Sequence, residues 1–247
     1  MAIRRMHFAG IVHGDLTTSN ILFRVAKPVV DWTDDEVHQA RGIEKLSRLA
    51  DLSILQECVT IIDFGQSYFT RNPPKDYEPA TTMHYQSPEM RFDGRIGIEA
   101  NIWLLGCAIF EIRAGYPLFE ALFGNANDIL RQIAQTLGRL PYPWWAAFRN
   151  GARWFDNDGE PKDMLVQKQA GVSIPARKTP IVAKVRSIGD VDQQPSVYDG
   201  AMLEMSGVRL SEEEVALLSD LLERMSKYRP EERATIEEVV HHRWFNL

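Results

Sequence analysis

Two stretches in fixed order constrain this chain most: His13-Gly14-Asp15-Leu16-Thr17-Thr18-Ser19-Asn20-Ile21-Leu22-Phe23, and later Ile61-Ile62-Asp63-Phe64-Gly65. In the first, a tight polar loop carries Asp15 and Asn20 five residues apart and runs into apolar residues, which predicts a short strand over Ile21 to Val25. In the second, Val59-Thr60-Ile61-Ile62 is β-branched and apolar, and predicts a buried strand that delivers Asp63. Asp and Asn offer hard oxygen donors, the kind that hold Mg2+ while phosphates supply the remaining ligands. A further carboxylate on the loop suits the orienting of an attacking hydroxyl. A third element, Thr82-Met83-His84-Tyr85-Gln86-Ser87-Pro88-Glu89, follows at a compatible distance. A lone Asp-Phe-Gly is nearly uninformative; the order of all three carries the weight.

Composition narrows the class. At 247 residues, 45% hydrophobic and 25% charged, the chain reads as globular and long enough for one substantial core or two small ones. A formal charge of −6 offers no footprint for nucleic acid, and Arg177, Lys178, Lys184 and Arg186 are too dispersed to form a binding patch. Two cysteines make no disulfide framework; Cys58, leading into a strand pattern, and Cys107, inside an apolar helix, read as buried thiols of a reducing compartment. The N-terminus has charge but no apolar h-region, and no uncharged run of 18 residues occurs anywhere. Neither secretion nor membrane spanning is supported, and the expected location is intracellular, cytoplasmic or nuclear.

Helices are expected over Ala2 to Ala9, closed by Gly10, and over the almost wholly apolar Ile98 to Ala114, stopped by Gly115 and Pro117. Asn127 to Leu137 reads as amphipathic. Capping boxes at Thr33-Asp34-Asp35-Glu36 and Ser211-Glu212-Glu213-Glu214 open further helices, the first over Asp34 to Ala40 with another near Glu44 to Leu49, and Thr235-Ile236-Glu237-Glu238 opens a last short helix to about His242. After Ser211, Val215, Leu218, Leu221, Leu222 and Met225 share a face. Gly65 to Glu89, rich in Pro, Asn and Asp, reads as loop. Lys162 to Tyr198 lacks sustained periodicity and reads as a partly mobile insertion. Trp144, Trp145, Phe148, Trp154 and Phe155 must bury, either over a helical face or against a partner. His241 and His242 are adjacent, so on a helix their rings diverge, which argues against a metal site.

From about Ile11 to Phe245 the chain resembles the protein kinase family, specifically its larger C-terminal lobe. The resemblance implies a mainly α fold with a few short β-strands: a catalytic loop at 13–20, an insertion at about 24–58, an activation segment at 63–89, a second insertion at about 139–210 and terminal helices at 211–247. It implies ATP and Mg2+ as cofactors and a protein substrate with Ser/Thr acceptors. By the same resemblance Asp15 is the catalytic base, Asn20 and Asp63 are metal ligands, and Leu22 lies under the adenine ring. His13 and Phe64 stack in an internal spine, Thr82 contacts the catalytic loop, and Glu89 pairs with Arg233. Removing one partner of such a desolvated pair costs about 3–5 kcal/mol, so Arg233→Ala is expected to unfold the lobe.

Several positions depart from the family pattern. Gly14 stands where many kinases carry an arginine that reads an activation-loop phosphate. Thr17 stands where a lysine normally reaches the transferring phosphate, which removes a cation. Asn101 replaces an aspartate that accepts backbone hydrogen bonds from the catalytic loop, keeping an acceptor oxygen without charge assistance. No Gly-x-Gly-x-x-Gly occurs, and the small N-terminal β lobe has no counterpart in these residues. An apolar roof is therefore expected where that lobe would sit, open to a covering protein partner. Phrases such as Tyr85-Gln86-Ser87-Pro88-Glu89 and Leu105-Gly106-Cys107 look most like the cyclin-dependent, MAP and SR-protein kinase group, leaning to the SR-protein branch. Two readings stay open: a Ser/Thr kinase, weak or inactive without the other lobe, or a pseudokinase scaffold.

Overall fold

The computed structural model describes residues 2–25, 33, 55–75, 77–94, 96–120, 125–190 and 209–247. The helices expected at Asp34 to Ala40 and Glu44 to Leu49 lie outside them.

Helix α1 (Ala2–Phe8) leads into strand β1 (Ile11–Val12), and the loop that follows ends in one turn of 3-10 helix, Thr18–Asn20. Strand β2 (Ile21–Val25) pairs antiparallel with β3 (Leu55–Ile61) in the register Ile21↔Ile61, Leu22↔Thr60, Phe23↔Val59. One further bond extends this ladder, from Ile62 N–H to the Asn20 carbonyl at 3.0 Å. Asn20 and Asp63 are thus brought to the same end of the ribbon by register alone. Strand β4 (Tyr68–Phe69) returns to pair with β1, Val12 opposite Tyr68.

The expectation of a buried strand before Asp63 is corrected. Val59 is 51% exposed, and Cys58, also expected to be buried, is exposed. A two-stranded ribbon has one face to bury, and among the residues of β2 and β3 whose burial is described only Ile21 and Ile61 pack against the core. Cys107 is buried, as expected from its apolar helix.

The core is helical. Helix α2 (Pro88–Phe92) precedes α3 (Ile98–Ala114), which is buried from Ala100 through Leu104 and again from Gly106 through Phe110. Gly115, at φ 77°, caps α3 in the left-handed conformation that a side chain would disfavour, and its N–H returns to Glu111. Trp103, Phe110 and Phe119 are completely buried, each such side chain stabilising by about 1.5–3 kcal/mol relative to exposure. Helix α4 (Ala126–Leu137) follows; its apolar Ile129, Leu130 and Ile133 are buried, but so are Asp128, Arg131, Gln132 and Thr136. Its polar face is covered because the next segment folds over it: the backbone of Arg177 and Thr179 bonds Gln135.

That segment holds α5 (Trp144–Ala147), α6 (Met164–Gln169) and α7 (Ile181–Arg186). Trp144, Phe148 and Phe155 are buried, and Phe148 stacks on Trp154 at 6.1 Å. The aromatic group therefore packs within the fold, with a cavity of about 440 Å³ remaining between Trp145, Phe148, Phe155, Arg149 and Lys162. Through Asp190 the stretch without periodicity packs as firmly as a periodic one. Ile181, Val185 and Ile188 enter the core, and the fully buried Gln167 donates to the carbonyls of Lys162 and Ala176 and accepts from Ala176 N–H at 2.7 Å.

Helix α8 (Glu212–Met225) packs its expected face, Val215, Leu218, Leu221, Leu222 and Met225, against α3 and α7. Ser211 caps it by accepting from Glu214 N–H, whereas the Glu214 carboxylate is held by Arg113 at 2.7 Å. That hydrogen bond keeps the Glu214 carboxyl below its usual pKa. The complete capping box forms at Thr235 and Glu238, opening α9 (Ile236–Val240). His242 reaches Asp220 at 2.9 Å, and no group of His, Cys, Asp and Glu suited to a metal occurs among the described residues. No described helix is long and apolar enough to cross a membrane.

Candidate active site

The loop between β1 and β2 is tied down on every side. His13 N–H donates to Asn101 Oδ1 at 3.2 Å, and Ser67 Oγ donates to the His13 carbonyl at 2.9 Å. The buried His13 ring accepts from Asp15 N–H at Nδ1 (3.3 Å) and faces the Ile62 carbonyl through Nε2 (3.1 Å), which fixes the proton on Nε2. Burial lowers the His13 pKa, against the opposing pull of the Ile62 carbonyl and the Asp15 and Asp63 charges, so the neutral ring is favoured. Phe64 lies 4.9 Å from it, centroid to centroid. The imidazole thus links the loop bearing Asp15 to the strand end bearing Asp63.

Asn20, nearly buried, donates from Nδ2 to the Asp15 carbonyl at 2.8 Å and to Asp15 Oδ2 at 3.0 Å. Both amide hydrogens are engaged, so Oδ1 is presented as an acceptor. Asp63 has φ 59° and ψ 71°, a left-handed conformation costing a non-glycine residue roughly 1–2 kcal/mol. Its Oδ1 accepts from Gly65 N–H at 3.3 Å, capping the 3-10 turn Phe64–Gln66. The Asn20 amide oxygen and the Asp63 carboxylate, carried at one end of the ribbon, are hard oxygen donors of the kind Mg2+ takes, with phosphate oxygens and water completing its octahedron. Leu22, 45% exposed on β2, presents an apolar surface on the same ribbon.

Thr82 does not take the place expected for it. Its side chain is exposed, and its buried neighbour Thr81 donates from Oγ1 to the Gly14 carbonyl at 2.5 Å. The motif spacing located the contact to within a residue, and the backbone turn at 82–85 decided which hydroxyl turns inward. Glu89 and Arg233 meet as a buried two-pronged pair, both bonds 2.6 Å. Arg233 also donates to the carbonyls of Lys227 and Glu99, and its guanidinium lies 5.2 Å over the Trp103 ring. Thr17 is buried, and Asn101 accepts from His13 as its position suggests.

One cluster escaped the sequence. The Tyr85 hydroxyl donates to Glu111 Oε2 at 2.5 Å, accepts from Thr18 N–H at 3.1 Å, and Thr18 Oγ1 donates to Glu111 Oε1 at 3.2 Å. Burial, followed by the bond to Glu111, pushes the Tyr85 hydroxyl pKa up. The signal was a carboxylate inside an otherwise apolar helix, which demands a partner.

The protein kinase domain profile matches residues 1–245, and the chain belongs to the protein kinase family. Dual specificity protein kinase lkh1 of Schizosaccharomyces pombe is 25% identical over 246 residues, covering 97% of this chain and 30% of the relative. Dual specificity protein kinase CLK4 of Homo sapiens is 22% identical over 246 residues, 100% of this chain and 43% of the relative. Serine/threonine-protein kinase ppk5 of S. pombe is 34% identical over 110 residues, 43% of this chain. The chain spans less than half the length of these relatives.

Proposed function

We propose that these residues carry the phosphoryl-transfer site of a protein kinase acting on protein hydroxyls. When bound, Mg-ATP supplies the transferable phosphoryl group and the charge neutralisation around it. Asp15 orients the acceptor hydroxyl and takes its proton at the carboxylate. Asn20 and Asp63 would hold the metal, and Leu22 offers apolar surface to the base. The observation carrying this reading is the clamp of Asn20 Nδ2 on Asp15, which leaves the amide oxygen free at the ribbon end that also bears Asp63.

The acceptors we assign are Ser and Thr, with Tyr added because several relatives are dual specificity kinases by name. The phrases around Tyr85 and Leu105 favour a branch near the SR-protein kinases. We read the residues as the family's larger lobe, and the exposed Leu22 and Ile62, which the strand register sets on one face of the ribbon, as apolar surface that takes a roof, from the small lobe or another protein.

Thr17 favours a second reading: it is buried where a lysine would reach the phosphate, which suits a pseudokinase scaffold. Phosphate transfer to Ser, Thr and Tyr peptides by the full natural chain, beside Asp15→Asn, decides. Transfer that falls about 100-fold or more in the variant supports the kinase; a folded chain with no transfer supports the scaffold.

A further inference from the structure

Residues 70–75 of the activation segment are exposed, as are Glu78 and Ala80, and Tyr77 is the large side chain among them that turns inward. Its ring packs edge-on against Tyr68 at 5.1 Å, and its hydroxyl donates to the Gln66 carbonyl at 3.3 Å. Tyr68 is itself anchored, paired with Val12 and donating its hydroxyl to the Ile96 carbonyl. Beneath Tyr77 lies Gly14, at φ 84°, where an added Cβ would overlap the Tyr77 hydroxyl and come within 2.6 Å of the Gln66 carbonyl oxygen. The absence of a side chain at Gly14 is what admits the tyrosine. Burial, and then the Asp15 charge, hold the Tyr77 hydroxyl protonated, with its pKa pushed up to about 12. Thr81 donates from Oγ1 to the Gly14 carbonyl. The peptide immediately before Asp15 is therefore flanked by two hydroxyl side chains of one segment, and neither contact uses a charged group.

We propose that Tyr77 is a positioning residue that locks the activation segment onto the Gly14–Asp15 peptide without a phosphate, and so sets the direction of the Asp15 side chain. The effect on Asp15 rests on the phosphoryl-transfer reading; the lock does not. Tyr77→Ala and Tyr77→Phe, made in the full natural chain, test both. Trypsin cleavage after Arg71 and Lys75 reports release of the segment and needs no catalysis. Tyr77→Ala is expected to be cut about 10-fold faster or more, through local opening, with its melting temperature within about 3 °C of the parent. Its kcat should fall about 10-fold with nucleotide KM nearly unchanged, as for a misdirected base, and Tyr77→Phe, which keeps the ring, should recover part of both effects. Phosphatase treatment of the parent should leave its rate unaltered. Unchanged cleavage in Tyr77→Ala, or loss of parental activity to phosphatase, overturns the proposal. A chain that transfers no phosphate sinks the reading of the site, and the cleavage pattern then decides the lock alone.

Discussion

Asn101 makes a bond that an ionised aspartate in its place would lack the hydrogen for: its Nδ2 donates to His7 Nε2 at 3.3 Å, while Oδ1 accepts from His13 N–H. The amide is oriented from both ends, which offsets the charge assistance lost with the carboxylate. His7 must be neutral to accept, and burial pushes its pKa down to about 4. The sign follows from linkage: the unfolded histidine protonates near 6.5 and the folded one near 4, so stability is full above pH 6.5 and is lost as pH falls through 4. We expect the melting temperature to decline across that window and the decline to be smaller in His7→Gln, which removes the titration. Superimposable profiles would contradict the pairing. The sequence exposed Asn101 as a departure from the family pattern but not its partner, because His7 lies 94 residues away and carries no motif.

At the scale of elements, legibility tracked periodicity. The helix at Ile98 to Ala114 was readable to its end residues because an apolar run, a capping glycine and a proline all agreed. The β2 and β3 strands were readable as strands, yet the burial of β3 was not, since alternation and continuous apolarity do not report what covers a ribbon. Residues 162–190 were misleading for another reason. Their order comes from side chains that satisfy backbone groups, chiefly Gln167, and such bonds leave no period in the sequence. Gln167→Ala should leave the Ala176 N–H and two carbonyls buried without partners, costing about 2–4 kcal/mol in urea unfolding. A change under about 0.5 kcal/mol, the size expected of a surface substitution, would refute this role.

For the molecule as a whole, the helical core and the small ribbons divide the work. The core fixes α3, and α3 supplies Asn101 and Glu111 to the loop on either side of Asp15 and Tyr85. The ribbons fix register, which brings Asn20 beside the strand end that carries Asp63. The residues we assign to the candidate site stand out in the sequence because each belongs to a short, ordered motif. The hydroxyl facing Gly14 was displaced by one residue, since turn conformation, unlike motif order, is settled only by packing. The central claim is that Asn20 and Asp63 together hold a metal for a bound nucleotide. It is tested most directly by calorimetric titration of the full natural chain with ATP, with and without Mg2+, beside Asp63→Asn. The account predicts metal-dependent binding in the micromolar range that the variant loses while remaining folded. Binding indifferent to Mg2+, or equal in parent and variant, would contradict it.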